Sequence, residues 1–258
     1  MKRSSGVRIA ATVAVSALSL ALVTGCSDSG SGDAKDSTNS ASSSSPSAPA
    51  AKPLTTAELE KLLLTQGEVE GYKVTSGDDT LPKSKSEVKT DKAECDPLAW
   101  STGGLAPGDT DANASNSVAE DKASTATAQP EDAADLFDVN LTFVGLSSYE
   151  GDGAAKAMKA VSDGVTACSG GYSLAAGDDD GKVTKVASEK GSGLGDESLA
   201  FVETVDMGGE GTATFHTEVV RKGNTIATFY AVNIAALSTG GAADIPAAVV
   251  EAQVAKLK

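Results

Sequence analysis

Apolar and polar positions divide the chain into three regimes. Ile9 to Val23 is an almost unbroken apolar run, and residues 27–53 hold no large apolar side chain. From Leu54 onward apolar residues recur with the periods of helices and strands. Thr55 and Glu58 fit a capping box, with Leu54 and Leu59 placed as its hydrophobic staple. Leu59, Leu62 and Leu63 share a helical face that Gly67 or the Gly71-Tyr72 turn ends. Residues 75–92 are polar and read as loop, followed by a short helix near Ala93 to Trp100 that turns Cys95 and Leu98 inward. Residues 103–131 are a low-complexity stretch of Gly, Asp, Asn, Ser, Thr and Ala, whose composition favours a disordered loop. Phe137, Val139, Leu141 and Phe143 alternate with polar residues and predict a strand. Ala154, Met158, Val161, Val165 and Cys168 predict a helix with Cys168 on its buried stripe. Strands are expected near 183–188, 198–206, 212–221 and 225–233, with a turn at Arg221-Lys222-Gly223-Asn224. A closing helix takes Asp244 as N-cap and Pro246 in its first turn, placing Val250, Val254 and Leu257 together. The fold class is α+β: an antiparallel β-sheet flanked by helices on one face, in a single domain over 54–258.

The first regime sets location. Lys2, Arg3 and Arg8 precede the apolar run, which ends in Val23-Thr24-Gly25-Cys26. That ending resembles a bacterial lipobox, which implies removal of residues 1–25 and lipidation of Cys26. The alternative, an uncleaved anchor, is short of the ~20 residues needed to span a bilayer. Two acyl chains hold a protein durably where one does not, so the protein is expected at the extracytoplasmic face of the cell membrane. Residues 27–53 then form a Ser/Ala/Pro-rich tether, expected to be disordered, with a root-mean-square reach of roughly 30 Å.

Charge narrows the partners. Without residues 1–25 the chain has 18 basic residues against 36 acidic ones, and Arg221 is its one arginine. Nucleic acid is excluded as a partner class, since it requires clustered Lys and Arg. Of three cysteines, Cys26 is assigned to lipid, which leaves Cys95 and Cys168 as a pair in an oxidising compartment. A disulfide there would close a loop of roughly 74 residues and contribute roughly 4 kcal/mol. Two buried thiols or a metal pair are the alternatives, although a metal site wants more Cys and His and His216 is the single histidine.

Catalytic motifs are sparse. His216 falls on the polar face of a strand, away from Phe215 and Val219, and is expected to be solvent-facing or paired across strands. Ser86-Glu87-Val88-Lys89 matches S-x-x-K within a polar loop, without companion motifs. Asp178-Asp179-Asp180-Gly181 lacks the closing glutamate of a calcium loop. Gly191-Ser192-Gly193-Leu194-Gly195 matches neither G-x-G-x-x-G nor a P-loop. Trp100 reads as packing beside the cysteine helix, or as a stacking platform for a ligand. No catalytic residue, metal ligand or cofactor is assigned.

One resemblance adds to this reading. Leu59-x-x-Leu62-Leu63-Leu64-Thr65 leads to Gly71-Tyr72, then Cys95-x-Pro97-Leu98 and Val165-x-x-Cys168. Leu194-Gly195-Asp196-Glu197-Ser198 and Val220-Arg221-Lys222-Gly223-Asn224 follow. The order resembles actinobacterial secreted lipoproteins similar to the extracellular sensor domain of PknH-type receptor kinases. The resemblance implies an antiparallel sheet with flanking helices, disulfides and a ligand cleft. Members often have two disulfides, and this chain has cysteines for one. The expectation is a non-catalytic, lipid-anchored binding or sensor-like module for an envelope small molecule, lipid or glycan. The alternative is a protein–protein interaction or scaffolding lipoprotein of the cell envelope. A third reading, a hydrolase, needs two carboxylates at ~5–9.5 Å facing a cleft.

Overall fold

A computed structural model of the chain describes residues 52–77, 81–121, 138–176, 179–237 and 241–258. All of these lie in the unit Ser47–Lys258. The expected leader 1–25, Cys26, tether residues 27–51, residues 122–131, Phe137 and Asp178 lie outside the described residues.

Alternating segments build one antiparallel sheet of nine strands among the described residues. In chain order they are β1 (Tyr72–Ser76), β2 (Val88–Thr90), β3 (Asn113–Glu120), β4 (Asn140–Ser148) and β5 (Tyr172–Ala176). β6 (Asp179–Glu189), β7 (Glu197–Asp206), β8 (Thr212–Lys222) and β9 (Thr225–Asn233) follow. Their spatial order is β1-β3-β4-β9-β8-β7-β6-β5-β2. The helices are α1 (Thr56–Glu60), α2 (Asp96–Thr102), α3 (Gly153–Ala167), the short α4 (Ile234–Leu237) and α5 (Ala247–Ala255).

Both faces of the sheet are apolar at its centre, and both are covered. Neighbouring positions on β8 and β9 point opposite ways: Val219 and Ile226 pack with α2 and α3, whereas Val220, Ala227 and Phe229 pack with Leu59, Leu63 and α5. Helices on one face alone were therefore too few. The central strands are apolar on both sides, so a second layer is needed to remove the other side from water. The capping box at Thr55 and Glu58 is present. α1 stops at Glu60, and the following Leu62–Leu64 backbone is held by α5 instead. Gln253 accepts from Leu64 N–H at 3.0 Å and donates to the Leu62 carbonyl at 2.8 Å. α5 starts at Ala247 with Pro246, not Asp244, at the N-cap position.

The stretch 103–131 is not loop throughout, because β3 lies inside it and pairs with β1 and β4. Its small side chains fill a site dictated by the neighbouring strands, which override local propensity. The polar residues 75–92 likewise contain β2. Cys95 and Cys168 form a disulfide with Cα atoms 6.0 Å apart, joining the start of α2 to the end of α3. These helices touch at Gly164, where a Cβ would stand 2.9 Å from the Glu94 carbonyl oxygen. Any larger residue would push them apart.

Candidate functional site

Three segments distant in sequence meet around a cleft of about 800 Å³. They are Lys52–Thr55, the loop 108–112 and the first turns of α3. Each is fixed by hydrogen bonds. Leu54 N–H donates to Ser148 Oγ at 2.9 Å, and Thr110 Oγ1 donates to the Ser148 carbonyl at 2.8 Å. Gly108 N–H donates to the Tyr149 hydroxyl at 3.2 Å, which also receives Ser147 Oγ at 3.1 Å. Burial pushes the Tyr149 phenol up to about 12, so it stays a neutral support. Leu54, Ala112, Ala157 and Ala160 supply apolar lining, and Lys52, Asp109 and an Asp152–Lys156 ion pair of 2.8 Å supply charge. That pair is exposed and adds little stability. The volume is that of a small-molecule site, and the wall is mixed, since half of its fourteen lining residues are polar or charged, Glu150 among them.

Lys85 holds the loop from behind. Its ammonium donates to the Gly108 carbonyl and, at 3.2 Å, to the Thr110 carbonyl. The same ammonium sits 4.8 Å from the Trp100 ring centroid, a cation–π contact. Burial lowers its pKa, with Asp109 and Asp111 acting in the opposite direction. The Trp100 indole N–H is buried and has no hydrogen-bond acceptor.

Beyond Trp100 lies a buried polar cluster. Glu203 on β7 is 3% exposed. Tyr172 hydroxyl donates to its Oε1 at 2.6 Å and Thr102 Oγ1 donates to its Oε2 at 3.0 Å. Thr102 Oγ1 also lies 3.1 Å from Thr217 Oγ1. Desolvation raises the Glu203 pKa, and the two hydroxyl hydrogen bonds oppose that shift. Burial and the neighbouring Glu203 raise Tyr172 as well. Phe215 stands opposite Glu203 in the strand register and contacts Tyr230, which stacks on Phe143.

The residues singled out in the sequence fall into separate places. His216 Nδ1 lies 2.7 Å from Glu189 Oε2, a pair that spans β7 on the sheet face opposite Glu203. Ser86 lies in a turn beside Ser84, and Lys89 is on the edge strand β2. Asp179 to Gly181 open β6 at a hairpin. The glycine loop and the β8–β9 turn do come together. Asp196 N–H donates to the Arg221 carbonyl at 2.8 Å and its carboxylate accepts from Gly223 N–H at 2.7 Å. That backbone hydrogen bond is the main reason the Asp196 carboxyl titrates below its ordinary value. Among the described residues no group of three or more His, Cys, Asp or Glu is placed to hold a metal ion. No helix there is long and apolar enough to cross a membrane. The cleft and the Glu203 cluster were not assigned from sequence. For Glu203 a signal existed: a glutamate between Phe201 and Val205 on the inward-facing positions of an alternating strand.

Neither a family model nor a curated protein matches the chain. Among solved structures, the crystal structure of the extracellular domain of PknH from Mycobacterium tuberculosis is similar at 13% identity and a TM-score of 0.43. The similarity covers 80% of this chain and 95% of that chain.

Proposed function

We propose that the protein is a lipid-anchored, extracytoplasmic binding module that takes an envelope small molecule, lipid or glycan without transforming it. The cleft beside α3 is the observation that supports this reading. It is about 800 Å³ in volume, and Lys52–Thr55, the segment that follows the tether, forms part of its wall. A ligand seated there would touch the segment leading to Cys26, so occupancy could change how the domain hangs from its anchor. The apolar patch of Leu54, Ala112, Ala157 and Ala160 suits a short hydrocarbon or the less polar face of a sugar, and the charges at 52, 109, 150, 152 and 156 would orient its polar groups.

Native mass spectrometry on the protein purified from its own envelope tests the reading. A reproducible added mass is expected, and Ala160→Trp, which fills the cleft, should remove it. A bare protein, or an added mass that survives Ala160→Trp, would set this reading aside in favour of a protein partner or another surface.

A further inference from the structure

We propose that Lys85 is a positioning residue for the cleft: its ammonium sets the wall 108–112 in place before a ligand enters, so that removing it weakens binding without altering the lining. The inference rests on the reading of the cleft as the ligand site. Lys85 stands behind the loop rather than in the cleft wall. It therefore acts on an occupant only through the backbone it holds.

The loop needs such a support. Residues 108–112 precede β3 and lie outside the sheet ladder, so each of their backbone groups must find its own partner. Gly108 N–H has the Tyr149 hydroxyl, Thr110 N–H has the Gly108 carbonyl at 3.0 Å, and Ala112 N–H has Thr110 Oγ1 at 3.2 Å. The Gly108 and Thr110 carbonyls both turn to the Lys85 ammonium. Two carbonyl dipoles that converge repel one another unless a cation stands between them, and hydrogen bonds from a charged donor are the stronger kind. On its other side the loop presses on α3, since a Cβ at Gly108 would stand 2.6 Å from the Ala157 Cβ. The loop is thus seated between α3 in front and Lys85 behind.

Both ends of the strut are fixed. Glu87 accepts from Lys83 N–H at 3.0 Å and from Ser84 Oγ at 3.3 Å, which closes the turn that carries Lys85. β2 follows at once and is paired to β5. The ammonium also faces the Trp100 ring on α2, and α2 is tied to α3 by the disulfide. Two walls of the cleft are therefore placed from the same helix, the loop through Lys85 and α3 through Cys95–Cys168. A wall set in advance spares the ligand the cost of ordering it, and loss of the support appears as lost affinity.

The test uses the whole protein and n-octyl glucoside, a short hydrocarbon on a sugar, kept below its micelle concentration. Parent, Lys85→Met and Lys85→Arg are titrated by methyl NMR at Ala157 and Ala160, and hydrogen exchange is followed at Gly108, Thr110 and Ala112. Lys85→Met should bind roughly ten-fold more weakly, with the same methyl shifts as the parent at saturation. Its three loop amides should exchange faster while those of β8 and β9 keep the parent rates. Lys85→Arg should restore both, because a guanidinium has donors for two carbonyls and stacks on an indole. Unchanged affinity or unchanged loop exchange in Lys85→Met would overturn the proposal, as would an equal loss in Lys85→Arg. Faster exchange that spreads to β8 and β9 would overturn it too, marking Lys85 as a general support of the fold. No probe shift in the parent would set aside the cleft as a site for a hydrocarbon-bearing sugar, and this proposal with it, a result distinct from a cleft that binds equally well without Lys85.

Discussion

Side chains at a few positions set conditions that the rest of the fold must obey. Glu203 is buried among hydroxyls and aromatic rings, with its pKa raised by desolvation, which gives stability an inverted pH dependence. A carboxyl whose folded pKa lies above its unfolded value favours the folded state while protonated. The unfolded chain ionises first, so that contribution is lost as pH rises from about 4.3 through the folded pKa. Glu203→Gln should therefore gain at least about 0.5 kcal/mol at neutral pH, beyond the range of ordinary surface substitutions. It should also flatten the dependence of the urea midpoint on pH above 5, and unchanged midpoints in both respects would contradict the assignment. Gly195 imposes a different condition. Its φ is +72°, and a Cβ there would run into the Arg221 carbonyl. Gly195→Ala should cost about 2 kcal/mol or more in urea unfolding, with the loss centred on the β8–β9 turn that Asp196 holds.

Elements differ in how much of their position is written locally. β7, β8 and β9 are rich in apolar and β-branched residues, and β8 and β9 are joined by a tight turn at Gly223, where φ is +59°, so their spans could be read from the sequence. β3 reads Asn-Ala-Ser-Asn-Ser-Val-Ala-Glu, a loop-like composition that becomes strand through pairing on both sides with β1 and β4. α3 was legible because its apolar spacing is regular, whereas α1 is short and depends on α5, nearly two hundred residues away in sequence. The cleft was invisible for the same reason: its three walls come from stretches far apart in the sequence. An edge device was missed as well. Gln66 lies against the outer edge of β1, donating to the Tyr72 carbonyl at 3.2 Å and accepting from Val74 N–H at 3.0 Å. A side chain that occupies edge groups in this way blocks strand-to-strand association. Gln66→Ala should speed hydrogen exchange at Val74 and introduce concentration-dependent self-association in sedimentation velocity. Exchange at Val74 equal to that of the parent would show that the edge is protected otherwise.

Across the whole molecule, one sheet is clamped by α2 and α3 on one side and by α1 and α5 on the other. The disulfide serves only the first layer. Reduction, or Cys95→Ser with Cys168→Ser, should lower stability by about 4 kcal/mol, and exchange protection should fall first in α2 and α3, leaving α5 on Gln253 and Lys256 less affected. The cleft lies at the margin of that disulfide-bearing layer, where α3 meets Lys52–Thr55. NMR of the methyl-labelled domain, titrated with an organic-solvent extract of its own envelope, measures occupancy directly. Shifts at Leu54, Ala112, Ala157 and Ala160, with the His216 face unmoved and the response absent in Ala160→Trp, are the predicted result. No shift, or shifts centred on another surface, would contradict the assignment of this cleft as the ligand site.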